Sequence, residues 1–256
     1  MAIFFIPFMT HKTKGIVLRA IRYGETSLVV TVFTEIFGIQ TYMVNGVRSS
    51  KRNGAKAALY QPPSLLDMIV YHQDQKSMHR IKEANWSFLY KNILSDVIKN
   101  SIAVFITELI HKTLKQPEES PALFYFCEDM FQQLDEAPPA IAANLPLYCC
   151  LHLTHFFGFR INDMSPEQAA EEHLFLDLME GNFTNTAPTH PHFLEKEDAL
   201  ISSELLRIMQ PHELSQIKLN KQKRRHLLHK YLEYYSLHIS DFGQIKTLRV
   251  LEEVLG

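Results

Sequence analysis

The first 85 residues alternate apolar and polar positions with a period near two. Thr13–Tyr23 (TKGIVLRAIRY), Ser27–Glu35 (SLVVTVFTE) and Ile39–Val47 (IQTYMVNGV) are rich in β-branched residues, with turns at Gly24-Glu25 and Phe37-Gly38 between them. In the second run Leu28, Val30 and Val32 fall on one face and Val29, Thr31 and Phe33 on the other. Leu65–Tyr71 and Met78–Ala84 pair as a hairpin across His72–Ser77, after a polar, basic loop at Arg48–Lys56. Five short strands with the longest break between the third and fourth predict a small closed barrel of the OB type.

From Trp86 the period shifts to about 3.6. Leu94, Ile98, Ile102, Phe105 and Leu109 form a helical stripe, and Ser120-Pro121 supplies an N-cap and a first-turn proline for a helix to about Leu134. Pro138-Pro139 breaks it. Ala140–Phe157 is apolar on nearly every side, which predicts a buried central helix closed by Gly158. Residues 159–195 are irregular, with a capping box at Ser165 and Gln168, a turn at Glu180-Gly181-Asn182 and a loop over Thr184–His192. Helices are expected again over Asp198–Met209, Asn220–Ser236 and Ile245–Leu255. The fold class is therefore α+β: an N-terminal extension over 1–11, an OB-fold barrel over 12–85 and a helical domain over 86–256 with an irregular insert at about 159–195.

Composition places this pattern in a soluble globular protein. Of 256 residues, 46% are hydrophobic and 21% charged, and no apolar run approaches the roughly 18–20 residues of a membrane-spanning helix. The three cysteines, Cys127, Cys149 and Cys150, are an odd count with two adjacent, which excludes a disulfide framework and points to the cytoplasm. Met1–Phe8 is apolar but has no basic segment before it and no small-residue cleavage site after it, so it reads as an extension, with Met9 an alternative start.

The formal net charge of −2 argues against a nucleic-acid partner only until it is divided along the chain. Residues 1–90 carry 11 Lys+Arg against 5 Asp+Glu, residues 91–210 carry 7 against 18, and residues 211–256 carry 8 against 5. A basic front joined to an acidic middle fits a polyanion-binding module attached to something else.

Motifs for catalysis are missing: no phosphate loop, nucleophile elbow, His-Glu-x-x-His or dinucleotide fingerprint occurs, and nine glycines leave little material for a phosphate cradle. The acidic groups Glu118-Glu119, Glu171-Glu172 and Glu195/Glu197/Asp198 would serve a metal-dependent nuclease or phosphatase, the alternative function. Each also lies near a helix N-terminus, where acids offset the helix dipole. Cys149, His152 and His155 share one helical face, but structural zinc draws on Cys-x₂₋₄-Cys pairs and none exists here. No metal, cofactor or catalytic residue is assigned.

Two basic features remain. Arg48, Lys51, Arg52 and Lys56 place four cations and no acid in nine residues, with Ser49, Ser50 and Asn53 as further donors to phosphate. Lys12, Lys14, Arg19 and Arg22 add charge on or beside the first strand. Lys218–Lys230 (KLNKQKRRHLLHK) holds six Lys/Arg, with Lys218, Lys221, Arg225 and His229 on one helical face and Leu228, Leu232 and Tyr235 on the opposite one. Such a helix suits phosphate, an acidic peptide or the acidic middle of its own chain; Lys218, Lys221, Arg224 and Arg225 are the candidate partner-binding residues.

The blocks Lys14-Gly-Ile-Val-Leu-Arg19, Tyr23-Gly-Glu25, Phe33-Thr-Glu35-x-x-Gly38, Asn45-Gly-Val-Arg48-Ser-Ser-Lys51 and Gln61-Pro62 resemble the start of the bacterial RecO recombination mediators. Phe156-Phe-Gly-Phe159, Tyr234-Tyr-x-Leu-His238 and Ile245-Lys-Thr-Leu-x-Val-Leu251 resemble that family's later helices more loosely. The resemblance implies an OB fold with a helical C-terminal domain and no covalent chemistry. It implies binding of single- and double-stranded DNA and annealing of complementary strands. It also implies partnership with RecR and single-stranded DNA-binding protein, and help in loading RecA. DNA contacts carry over onto Arg48, Lys51, Arg52 and Lys56, with Lys14 and Arg19 beside them. Many members hold zinc with four cysteines in the segment equivalent to 160–190; this segment has none, so zinc is not carried over, and a capped helix and short hairpin are expected instead.

Overall fold

The computed structural model describes residues 9–47, 54–73, 75–115, 118–165 and 173–255. It divides into two compact units, Met1–Tyr90 with Ile110–Gln132, and Lys91–Leu109 with Gln133–Gly256.

The first unit is built on a closed barrel of five strands: β1 (Thr10–Tyr23), β2 (Ser27–Thr34), β3 (Gly38–Val44), β4 (Leu65–Tyr71) and β5 (His79–Phe88), in the order β1-β2-β3-β5-β4. This is the OB-like barrel the strand pattern predicts. β1 closes it by serving two neighbours. Its first half pairs with β4 (Thr10↔Tyr71 through Ile16↔Leu65) and its second half with β2 (Gly15↔Thr34 through Tyr23↔Ser27). A register shift between Val17 and Arg19 marks a bulge that helps the strand coil. Gly15 lies at the changeover, where a Cβ would sit 2.4 Å from Met68 Cε and 2.6 Å from Val32 Cγ1. Only a residue without a side chain lets the strand pass that close. Inside, the alternating residues Val17, Leu28, Val30, Val32, Tyr42, Leu66, Met68 and Val70 form the core with Tyr60, which follows the short helix α1 (Gly54–Ala58).

Two boundaries differ from the sequence expectation. Trp86 lies within β5, which runs on to Phe88 because Leu66 and Leu65 offer it partners opposite Trp86 and Phe88. The first long helix, α2 (Val97–Thr113), starts later because the Asp96 carboxylate accepts the Ile98 and Lys99 N–H groups at 2.8 and 3.0 Å and fixes its N-terminus. Leu94 therefore precedes the helix and is exposed, as is Ile98, while Ile102, Phe105, Ile106 and Leu109 are buried. The helix α3 (Pro121–Glu136) opens at the expected proline.

In the second unit the apolar run over 140–157 is a broken helix. α4 (Pro139–Ala142) stops, Asn144 turns the chain, α5 (Leu145–Leu153) resumes and a 3-10 turn at Thr154–Phe156 ends it. Pro146 has no N–H to continue a ladder from α4, and it occupies the first turn of α5, where none is needed. Every residue of α5 is buried, as a helix apolar on all sides requires. Asn144 Nδ2 donates to the carbonyls of Leu214 and Ile217 and holds the break in place. Gly158 follows with φ +79°.

The insert holds a three-stranded sheet in the order β7-β6-β8, from β6 (Phe175–Asp177), β7 (Asn182–Thr184) and β8 (Phe193–Leu194). The hairpin between β6 and β7 turns at Gly181, at the expected turn; the Ser165/Gln168 capping box runs into residues 166–172, outside the described residues. The remaining helices are α6 (Lys196–Arg207), α7 (Lys221–His238), capped by the Asn220 side chain on the Lys223 N–H, and α8 (Leu248–Val254). No helix among the described residues is long and apolar enough to cross a membrane.

Candidate nucleic-acid interface

Arg48, Lys51 and Arg52 lie outside the described residues. The chain enters that loop from the buried Val47 and leaves it into α1, where Lys56 is exposed in the last turn. Arg19 is exposed on β1 just past the bulge.

Lys14 is engaged in an ion pair. Its Nζ sits 3.0 Å from both carboxylate oxygens of Glu128 on α3 and 5.4 Å from the centre of the Tyr125 ring. The Tyr125 hydroxyl in turn donates to Glu35. Partial burial lowers the affinity of Lys14 for its proton, but the Glu128 carboxylate, with Tyr125 and Glu35, outweighs that and holds the ammonium's pKa above its ordinary value. The ammonium is matched inside its own unit.

Three adjoining depressions run over the outside of the barrel on the side of β3 and β5. The first, of about 670 Å³, lies between the β2–β3 turn, the β4–β5 loop and the end of α2; Thr31, Phe37, His72, Lys76, His111 and Lys115 are among its walls. The second, of about 480 Å³, shares Lys76 and His79 with it and extends to Arg80. The third, also about 480 Å³, shares Arg80 and continues past Lys82, Asn85 and Tyr60 to Lys56. Among the described residues this track has the cations Lys56, Lys76, Arg80, Lys82 and Lys115 and the acids Glu83 and Glu119. It ends beside the helix that follows the basic loop.

Arg80 and Lys82 were not singled out from the sequence. Their signal is the period-two spacing in His79-Arg-Ile-Lys82, which puts both cations on the outward face of β5.

The basic features of the second unit are largely engaged. Lys223 bonds Glu197 at 2.9 Å and Asp198 at 2.7 Å, and His226 lies 3.1 Å from Asp198. Arg225 and His229 both meet Glu252 of α8. Lys218 precedes α7 and donates to the Ser215 carbonyl, whereas Lys221 is exposed on its first turn. Arg224 donates through Nη1 to the Leu219 carbonyl, but its Nε is buried without a hydrogen-bond partner. With Lys221 and Arg225 it edges a narrow cleft floored by Pro146, Leu147, Leu228, Leu251 and Leu255.

Some of the acidic groups considered for metal chemistry have other partners, and some lie outside the described residues. Glu197 and Asp198 are paired with Lys223, with His226 also beside Asp198, and Glu171 and Glu172 lie outside the described residues. Among the described residues no group of three or more His, Cys, Asp or Glu is arranged to hold a metal ion. His152 stacks on Tyr148 and bonds the Leu205 carbonyl, and burial pushes its pKa down to about 4. Cys149 and Cys150 are buried thiols whose pKa values burial raises.

Comparison with known proteins decides the family. Residues 9–90 match the model for "Recombination protein O N terminal" and residues 94–248 the model for "Recombination protein O C terminal". The chain belongs to the RecO family of DNA repair proteins. It is 32% identical over 249 residues to the DNA repair protein RecO of Flavobacterium psychrophilum, covering 97% of this chain and all of that protein. It is 31% identical over 248 residues to the RecO of Christiangramia forsetii, again 97% of this chain and all of the relative. The RecO of Azobacteroides pseudotrichonymphae is 30% identical, over 96% of this chain and 99% of the relative.

In the insert of this RecO-family chain, polar contacts do the stapling. Asp177 accepts the Met179 and Glu180 N–H groups at 2.8 and 3.1 Å and lies 3.2 Å from His190, while His192 reaches Glu233 of α7 at 2.5 Å.

Proposed function

We propose that this protein is a non-enzymatic recombination mediator that binds single- and double-stranded DNA along the barrel track and the basic loop, and anneals complementary strands. The observation that carries this is the continuity of the track: cations spaced from Lys115 through Lys76, Arg80 and Lys82 to Lys56 lead to the loop containing Arg48, Lys51 and Arg52. Phosphate neutralisation along such a line supplies most sequence-independent affinity. Two strands partly neutralised on one protein repel each other less, which favours pairing. Nothing in that work requires bonds to be made or broken.

The partners in this reading are single-stranded DNA-binding protein and RecR, with RecA loaded on the DNA so prepared. The acidic, apolar-ended tail of single-stranded DNA-binding protein suits the cleft at the start of α7. Its leucine floor takes the apolar end, and the unpartnered Arg224 Nε, with Lys221, takes carboxylates. Glu252 already holds Arg225 there, so an incoming carboxylate competes with it.

The test is annealing of complementary oligonucleotides precoated with single-stranded DNA-binding protein. Acceleration by the protein in the absence of any nucleotide cofactor supports the reading. No acceleration, together with oligonucleotide binding that is absent at low salt, overturns it.

A further inference from the structure

The first depression of the barrel track contains a feature that phosphate contacts by lysine alone do not explain. Phe37, from the β2–β3 turn, stacks on His72 with ring centres 3.8 Å apart and planes within 11°. His72 stacks in turn on His79 at 4.4 Å and 27°. A third imidazole, His111 from the last turn of α2, lines the same groove, with Lys76 and Lys115. Resting on the DNA-binding reading above, we propose that His72, His79 and His111 form a protonation-tuned phosphate subsite, at which single-stranded DNA and protons bind together.

The physical case is linkage. An ordinary imidazole titrates near pH 6.5, so its charge is available close to neutrality but not fixed there. A phosphodiester held in the groove favours the charged form of each imidazole near it, so binding takes up protons and tightens as pH falls. His72 and His79 stack too closely for both to carry charge, and His79 is buried, so the pair contributes one proton, at the more exposed His72, and His111 a second. The groups facing them are Lys76 of the β4–β5 loop, Lys115 beyond α2, Glu119 before α3, His11 of β1, which packs edge-on to Phe37, and Tyr42 of β3. A phosphate bound beside these lysines places negative charge next to the imidazoles. Asp74 of the same loop lies outside the described residues. Ile36, Phe37, Ile39 and Leu114 also line the groove, apolar side chains that suit the unstacked bases of a single strand rather than a paired duplex.

The experiment measures binding of oligothymidylate, whose bases do not titrate in this range, to the full chain between about pH 8 and pH 6 at fixed salt. The expected result is affinity rising about tenfold per pH unit for each proton taken up, with matching proton uptake by calorimetry in buffers of different ionisation enthalpy. His111→Gln and His72→Gln should each reduce the slope and leave affinity at pH 8 within about twofold. His111→Lys should bind tightly at both ends of the range, and it keeps the test intact if His72→Gln does not fold. Binding that is flat with pH, or a slope unchanged in His111→Gln and His111→Lys, overturns the subsite and leaves DNA binding standing. No binding at any pH overturns both.

Discussion

Lys14 and Glu128 pair across 114 residues of sequence, the ammonium 3.0 Å from each carboxylate oxygen, so a phosphate that reached Lys14 would have to compete with Glu128. An ammonium already paired with a carboxylate adds little to the phosphate neutralisation that releases cations from the nucleic acid. Lys14→Ala should therefore leave the salt dependence of oligonucleotide binding unchanged. It should lower stability by about 1 kcal/mol, a modest figure because Lys14 is over a third exposed and water screens the pair. Urea unfolding and a salt titration of binding separate the two effects.

Arg80 and Lys82 should behave in the opposite way. Both are exposed on β5 and line the track, so Arg80→Ala and Lys82→Ala should each weaken single-strand binding and flatten the plot of log K against log salt by about 0.7. Stability should move by less than about 0.5 kcal/mol. Fluorescence anisotropy with a labelled oligonucleotide at several salt concentrations checks the slope.

Asp135 gives a pH prediction. Its carboxylate accepts the N–H groups of Lys91, Asn92 and Ile93, each at 2.8 Å, and closes the turn before α2. Burial alone would raise its pKa, but these three bonds, with Lys99, pull it below the usual carboxylate value. A depressed folded-state pKa contributes stability that is complete above about pH 4 and is lost as pH falls further toward the folded value. Asp135→Asn should cost about 2 kcal/mol at pH 7, and the difference from the parent should shrink as pH falls below about 4 in urea unfolding.

Gly15 should tolerate no side chain. Gly15→Ala drives a methyl into Met68 and Val32 and should destabilise the chain by about 1–3 kcal/mol. Since the nearest obstacle is the flexible end of Met68, combining it with Met68→Ala should restore less than the whole loss, because Val32 still blocks. A double-mutant cycle by thermal or urea unfolding reads the coupling.

Arg224→Gln should abolish binding of a peptide copying the acidic tail of single-stranded DNA-binding protein while leaving oligonucleotide affinity unchanged, since the residue lies in the second unit. Surface-immobilised peptide is a sufficient probe.

The barrel was legible in the sequence because period-two alternation in β1 to β4 is unambiguous and each run ends at a turn residue. The end of β5 was not. Trp86 and Phe88 have the same apolar signal whether they close a strand or open a helix, and only pairing with Leu66 and Leu65 decides. The stripe beginning at Leu94 was misplaced for a related reason: the Asp96 cap, one polar side chain, sets where the helix starts. For the site, net charge by region pointed to the first 90 residues but could not tell a paired cation from an open one. Lys14 meets a partner far away in sequence, whereas Arg80 and Lys82 face solvent. The imidazole stack is not legible in the sequence because Phe37 comes from the β2–β3 turn and His72 and His79 from the β4–β5 loop and the start of β5, which meet only when the barrel closes.

The double duty of β1 also dictates an order of assembly. As a chain emerges from a ribosome, residues 10–44 can form a meander, but the first half of β1 has no mate until Leu65–Tyr71 arrives, and β3 has none on its outer side until His79 does. Until then both edges are bare templates for a neighbouring nascent chain. The barrel's seam is thus the last part of it to be made and its first liability.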